Sequence, residues 1–189
     1  MAGRPPASQD REQDLTVTLA GASLPTVTFD RATTRSRHRM TDIDIIAAAI
    51  HETWRALSRA EGWSMTPRLD CPFAELDDDA KDENRAAAER MGDVLAVAGL
   101  ALSDDLSRAE APLPDGIEAM AEAEHNAWMA HRKQSGWYWA ETRDDAAKRH
   151  PAMVRYAQLP EREKDKDRNN VRHYPAFAAR AGLRIVRAI

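Results

Sequence analysis

The stretch "EHNAWMAHRKQSGWYW", Glu124 to Trp139, carries three of the five tryptophans of a 189-residue chain whose aromatic content is only 6%. His125, Trp128 and Arg132 stand at i, i+3 and i+7, which on a helix is one face. Gly136 closes the pattern, where a glycine can take the left-handed cap conformation. Upstream, "LPDGIEAMAEA" offers Asp115 as N-cap, and Ile117, Met120, Ala121, Ala127 and Trp128 mark an apolar face. The spacing predicts a helix between Asp115 and Gly136.

This stretch has a counterpart in "IHETWRALSRAEGW", Ile50 to Trp63. A shift of 74 residues lays His51 on His125, Trp54 on Trp128, Gly62 on Gly136 and Trp63 on Trp137. The shared pattern is H-x-x-W, then G-W. A shift of 83 continues it, laying Lys81, Asp82 and Arg85 on Lys164, Asp165 and Arg168, and Gly99 and Leu100 on Gly182 and Leu183. The offsets differ by nine, so the second copy holds nine more residues after its G-W. Paired His, Trp and Gly at fixed spacing read as an internal duplication. Two such modules are expected to pack about a pseudo-two-fold axis, by analogy with isologous dimers.

Each copy should be mainly helical. Thr41 or Asp42 can cap the first helix, whose apolar face is Ile43, Ile46, Ala47, Ile50, Trp54 and Leu57. "KDENRAAAERMGDVLAVAGLAL" gives a second helix ending at Gly99. The acidic run "ELDDDAKDEN" lacks the central glycine and spaced ligands of a calcium loop, and reads as the start of that helix. After G-W, Pro151 and Pro160 punctuate a turn-rich stretch. In the closing "KDRNNVRHYPAFAARAGL", Pro175 either breaks the helix or opens a separate last one. Residues 1–39 have no helical period. "LTVTL" and "TVTF" alternate like strands, so this tail is either a short hairpin or disordered. Its basic run, Arg31 to Arg39, reads as solvated.

The second copy resembles the ryanodine receptor repeat, the RyR domain. The resemblance lies in "EHNAW", "GWYW", "TRDDAAKRHPAMVRYAQLPEREKDKDR" and "AGLRIV", and covers about residues 115–187. The R-D-D…H-P…V…Y…L-P-E-x-E order (Arg143, Asp144, Asp145, His150, Pro151, Val154, Tyr156, Leu159, Pro160, Glu161, Glu163) is its most specific part. The first copy keeps H-x-x-W, G-W and "KDENR" but lacks R-D-D and H-P, so it is a degenerate, shortened repeat. The resemblance implies a mainly α fold with short β strands and two RyR-type repeats, over residues 40–110 and 111–189. In calcium-release channels such repeats occur as tandem pairs, with adenine nucleotide in the cleft between them and the H-x-x-W tryptophans against the base. It therefore implies a small nucleotide-like ligand here, held by a sensor or sponge, in bacterial or phage defence.

The residues themselves fit such a ligand. An indole plane stacks on a base, and arginine matches phosphate oxygens with a rigid fork of donors. The candidate ligand set is His51, Trp54, His125, Trp128 and Arg132, with Tyr138, Arg143 and Asp144 from the segment after G-W. Ser58 stands where Arg132 does, which makes the cleft asymmetric in charge. The competing reading is a protein-interaction or structural module with the paired tryptophans in its core, and with His51 and His125 bonded to neighbouring groups. Trp63 and Trp137 read as anchors of the helix ends. At least one of Asp144 and Asp145 reads as a cap.

Composition narrows the classes further. Hydrophobic residues are 43%, charged residues 31%, and the net charge is −4, which argues against a dedicated nucleic-acid binder. No apolar run approaches the roughly 20 residues of a membrane helix. "MAGRPPASQDREQ" lacks an apolar signal region. Cys71 is the only cysteine, so a cytoplasmic protein is expected, with no intrachain disulfide. No catalytic motif and no metal-ligand spacing appears, so a non-enzymatic protein with no cofactor and no metal is expected, with an enzyme that processes a nucleotide as the weaker alternative. A homo-oligomer or a protein partner stays open.

Overall fold

The computed structural model describes residues 31–189 except Ser64, with side chains from Asp42 onward. Five helices dominate: α1 Arg31–Ala60, α2 Asp78–Ala96, α3 Glu118–Gln134, α4 Glu161–Arg172 and α5 Tyr174–Arg180. Four short strands join them: β1 Leu100–Ser103, β2 Tyr138–Trp139, β3 Arg149–His150 and β4 Arg184–Arg187. The fold is mainly α with short strands, as the sequence predicts. The two strand-like segments read between residues 15 and 29 lie outside the described residues.

Two helix starts differ from expectation. The first helix does not begin at Thr41 or Asp42 but at Arg31. Residues 31–40 hold no proline or glycine, so nothing in the backbone stops the helix upstream of those candidate caps. The third begins at Glu118 with Ile117 at the N-cap, not Asp115. Gly116, a poor helix former, separates Asp115 from the first turn. The second helix follows its acidic run: the Asp77 carboxylate accepts from the Ala80 N–H at 2.8 Å, and Asp78 and Asp79 sit in the first turn. Pro175 opens α5, a separate last helix.

The G-W ends are alike. Gly62 and Gly136 have φ of 62° and 83°, which a side chain would strain. The N–H groups of Trp63 and Trp137 close back on the carbonyls of Ser58 and Arg132 at 2.9 Å each, a Schellman closure.

α1 packs on α2, α3 on α4, and α2 meets α3 between them. Ile46, Ala47 and Ile50 of α1 share the main core with Met91, Val94 and Leu95 of α2, Met120 of α3, Val171 of α4 and Phe177 of α5. β1 and β4 pair antiparallel across this core, with Leu102 opposite Ile185, two residues that stand 83 positions apart. A smaller cluster gathers Ala121, Ala152, Tyr156 and Leu159, with Trp128 packed against it. Ion pairs recur at the sequence offsets: Arg85 binds Asp44 and Asp82, and Arg168 binds Glu118 and Asp165.

One charged group sits inside the core. Glu124 is 2% exposed. Its Oε1 accepts from Arg90 Nε at 2.9 Å, Arg90 Nη2 at 2.6 Å and Asn170 at 3.1 Å. Its Oε2 accepts from the Tyr174 hydroxyl at 2.8 Å. The carboxylate so ties α2, α3, α4 and α5. Burial, and then Glu124, pushes the Tyr174 hydroxyl well above the usual phenol range. Removing one partner of a buried pair strands the other's charge. Glu124→Ala should therefore destabilise by about 3–5 kcal/mol, and Asn170→Ala by only about 1 kcal/mol, in urea unfolding followed by circular dichroism. A loss below about 1 kcal/mol in Glu124→Ala would show the network to be dispensable.

Candidate functional site

Each H-x-x-W histidine is buried and points inward. His51 and His125 are each 2% exposed. Nε2–H of His51 donates to the Cys71 carbonyl at 2.9 Å, and Nε2–H of His125 to the Val154 carbonyl at 2.8 Å. A carbonyl only accepts, so the proton on each Nε2 is fixed by geometry. The accepting residues are 83 positions apart. Each imidazole lies between its tryptophan and a second aromatic ring: His51 between Trp54 at 6.0 Å and Phe73 at 6.4 Å, His125 between Trp128 at 5.5 Å and Tyr156 at 5.9 Å. Phe73 and Tyr156 again stand 83 apart, each opening a short 3-10 turn. The histidines hold the turns against the helices and fix one flank of each indole.

The two tryptophans so positioned line one cleft of about 300 Å³. That lies at the lower end of small-molecule sites. His51, Trp54, His125, Trp128, Arg132 and Arg143 all line it, together with Glu83, Arg90, Glu124, His150, Lys166 and Asp167. Trp54 and Trp128 are half-buried, and Trp54 belongs to neither core cluster. The walls come from α1 and α2 on one side and α3, α4 and the turn-rich segment on the other.

The cleft lining mixes acids and bases, Glu83, Glu124, Glu163 and Asp167 with Arg90, Arg132, Arg143 and Lys166. Arg90, Glu124 and Asn170 bring the core network to its lining. Asp167 Oδ2 lies 3.4 Å from His125 Nδ1. Burial depresses His125, but the hydrogen bonds to Asp167 and the Val154 carbonyl outweigh it, and its pKa is raised. Burial also raises Asp167, against the pull of His125. Arg132 stacks over Trp137 at 4.5 Å and meets Glu83 at 3.1 Å. Lys166 lies 5.8 Å over Trp63, the corresponding indole of the other half.

Residues 110–187 match the RyR domain family model. This segment is an RyR domain. It supplies His125, Trp128, Arg132, Arg143, His150, Lys166 and Asp167 to the cleft. His51, Trp54 and Glu83 come from the part of the chain before it.

Two candidates of the RyR domain stand away from the cleft. Tyr138 is exposed, and its hydroxyl accepts from Arg149 Nε at 2.8 Å, because β2 pairs with β3 and brings Arg149 over the ring. Asp144 caps a turn, accepting from the Ala147 N–H at 3.0 Å. Asp145 holds Arg143 through two contacts, at 2.6 and 3.2 Å.

His150 is a lining residue the candidate set omits, although H-P marks it in the sequence. It lies edge-on between Trp128 at 5.2 Å and Trp137 at 6.3 Å. Its Nδ1 accepts from the Ala152 N–H at 3.1 Å, which requires a neutral ring with the proton on Nε2. Burial first, then the charges of Arg143 and Arg132, lowers its pKa to about 4. A histidine depressed in the folded state stabilises fully above its unfolded pKa, near 6.5, and loses that contribution as pH falls toward 4. Imidazole NMR should thus show His150 neutral at pH 6 while the His125 midpoint is raised above the ordinary histidine value. A His150 midpoint near 6.5 would contradict this account.

Proposed function

We propose that this protein binds a nucleotide or nucleotide-derived second messenger in the cleft, without turning it over, as a sensor or a sponge of that signal in bacterial or phage defence. One observation carries the reading: two H-x-x-W tryptophans, far apart in sequence, line a single cavity together with arginines. A base stacks on indole, and arginine takes a phosphate. We further infer that the two halves are copies related by an approximate two-fold axis through the Leu102–Ile185 pair. The recurrence of the histidine–carbonyl bonds, the 3-10 turns and the arginine–acid pairs at the same offsets supports it. The structural-module reading needs both tryptophans in the core, and Trp54 is packed in neither cluster.

A thermal-shift panel of mono-, di- and cyclic nucleotides and ADP-ribose tests the binding, since a ligand stabilises by mass action. At least one class should raise the melting temperature. Trp54→Ala should weaken that ligand roughly tenfold or more, on a stacking contribution of about 1–3 kcal/mol. It should destabilise the fold by clearly less than the roughly 3–5 kcal/mol of a core tryptophan truncation. Undiminished binding in a Trp54→Ala, Trp128→Ala double variant would remove the site.

A further inference from the structure

The cations of the cleft differ in how far their donors are used. Arg143 sets two nitrogens on Asp145. Lys166 donates to Glu163 at 2.7 Å. Arg90 keeps Nη1 unpartnered among the described residues, but its other two nitrogens hold Glu124. Arg132 is less well served. One Glu83 oxygen comes to 3.1 Å of Nη1, and the buried Nε finds no partner among the described residues. Its side chain is only 18% exposed and lies over two indoles, Trp137 at 4.5 Å and Trp128 at 5.9 Å. A guanidinium presents a planar fork that fits an oxyanion along an edge, and a single oxygen at one Nη leaves most of that fork unused. Burial lowers the Arg132 pKa, Glu83 opposes this in part, and the like charges of Arg143 and Arg68 add to the lowering. Asp145 also opposes the lowering, but it is already held by Arg143, so the Arg132 fork itself has only the one Glu83 oxygen.

Glu83 also stands where the two halves part. "KDENR" (Lys81 to Arg85) corresponds to "KDKDR" (Lys164 to Arg168). The shared Lys, Asp and Arg lie off the cleft. The two residues that differ, Glu83 and Asn84 against Lys166 and Asp167, line it.

We propose that Arg132 is the anion anchor of the cleft and that Glu83 is its built-in competitor, displaced when a compact oxyanion of phosphate-monoester type takes the Nη edge of the guanidinium that Glu83 now occupies. Glu83 then sets charge selectivity. A dianionic group outcompetes the carboxylate's single charge, whereas a neutral ligand leaves the pair intact. His131 Nε2 lies 3.6 Å from the same Glu83 oxygen and gives the displaced carboxylate a second partner. The ligand class rests on the nucleotide reading above, but the anion contact is separable from it.

Pyrophosphate titrated against the full chain tests the anchor without any nucleotide, read by intrinsic tryptophan fluorescence because Arg132 lies on two indoles. Glu83→Gln should lower the half-saturating concentration about tenfold, the worth of one charge-assisted contact. Arg132→Gln should abolish the response. Arg132→Lys, which keeps the charge without the fork, should retain a weakened one, and this guards against a variant that merely fails to fold. An unchanged or weaker response in Glu83→Gln, no response in any variant, or a greater loss in Arg143→Gln than in Arg132→Gln overturns the proposal. Calorimetry with AMP and adenosine forms the second arm. AMP should gain about tenfold in Glu83→Gln with adenosine unmoved, and an equal gain for adenosine overturns the selectivity. If pyrophosphate behaves as expected and neither AMP nor adenosine binds, the anchor stands and the nucleotide reading of the cleft falls.

Discussion

The buried Glu124 carboxylate is the constraint on which the rest of the structure turns. A lone carboxylate in a packed interior is too costly to keep ionised, so its oxygens must be matched. Arg90, Asn170 and Tyr174 match them, and each comes from a different helix. Satisfying one charge therefore fixes the relative placement of four helices. Glu124, Arg90 and Asn170 of this network also line the cleft. Core and site are consequently one construction, and the polar groups that a ligand would meet are already held in place.

The two halves are alike in what positions the indoles and differ in what lines the cleft. Both keep the buried histidine, its bond to a carbonyl 83 positions removed from the other, the flanking aromatic ring and the arginine–acid pair. They differ at Ser58 against Arg132, Ile50 against Glu124, Glu83 against Lys166 and Asn84 against Asp167, and all but Ser58 of these line the cleft. Shared scaffold with divergent lining gives two similar walls of unlike charge. An asymmetric ligand would meet them in one preferred orientation.

Much of this was legible in the chain, because periodic and repeated features survive in one dimension. The H-x-x-W and G-W pairs located both helix ends and both indoles. Asp77 to Asp79 and Pro175 marked helix starts through local chemistry. What escaped reading depended on tertiary partners. Arg143 was legible as a cation near the cleft, but not its commitment to Asp145. Tyr138 and Asp144 sit beside Trp137 and Arg143 in sequence, yet the β2–β3 pairing and a local turn carry them away from the cleft. His150 was visible in H-P, but its depressed pKa arises from burial and from two arginines, 7 and 18 positions away in the chain. The start of α1 was misplaced because capping residues permit a helix to begin without requiring it to.

The tryptophans differ in how firmly they are held, and this bears on how the cleft would work. Trp128 has His125 at 5.5 Å, His150 at 5.2 Å and the Arg132 guanidinium at 5.9 Å, and it packs on the second core cluster. Among the described residues, the one aromatic neighbour of Trp54 is His51 at 6.0 Å. A wall already fixed by its neighbours loses little side-chain freedom when a ligand stacks on it, whereas a looser wall must be ordered at the moment of binding. On this ground Trp128 would supply the pre-organised face of the proposed site and Trp54 the adjustable one. With the unsatisfied Arg132 on the side of the rigid indole, a base and its anionic group would both be placed by the RyR domain. The preceding half contributes Trp54 and Glu83 to the opposite wall.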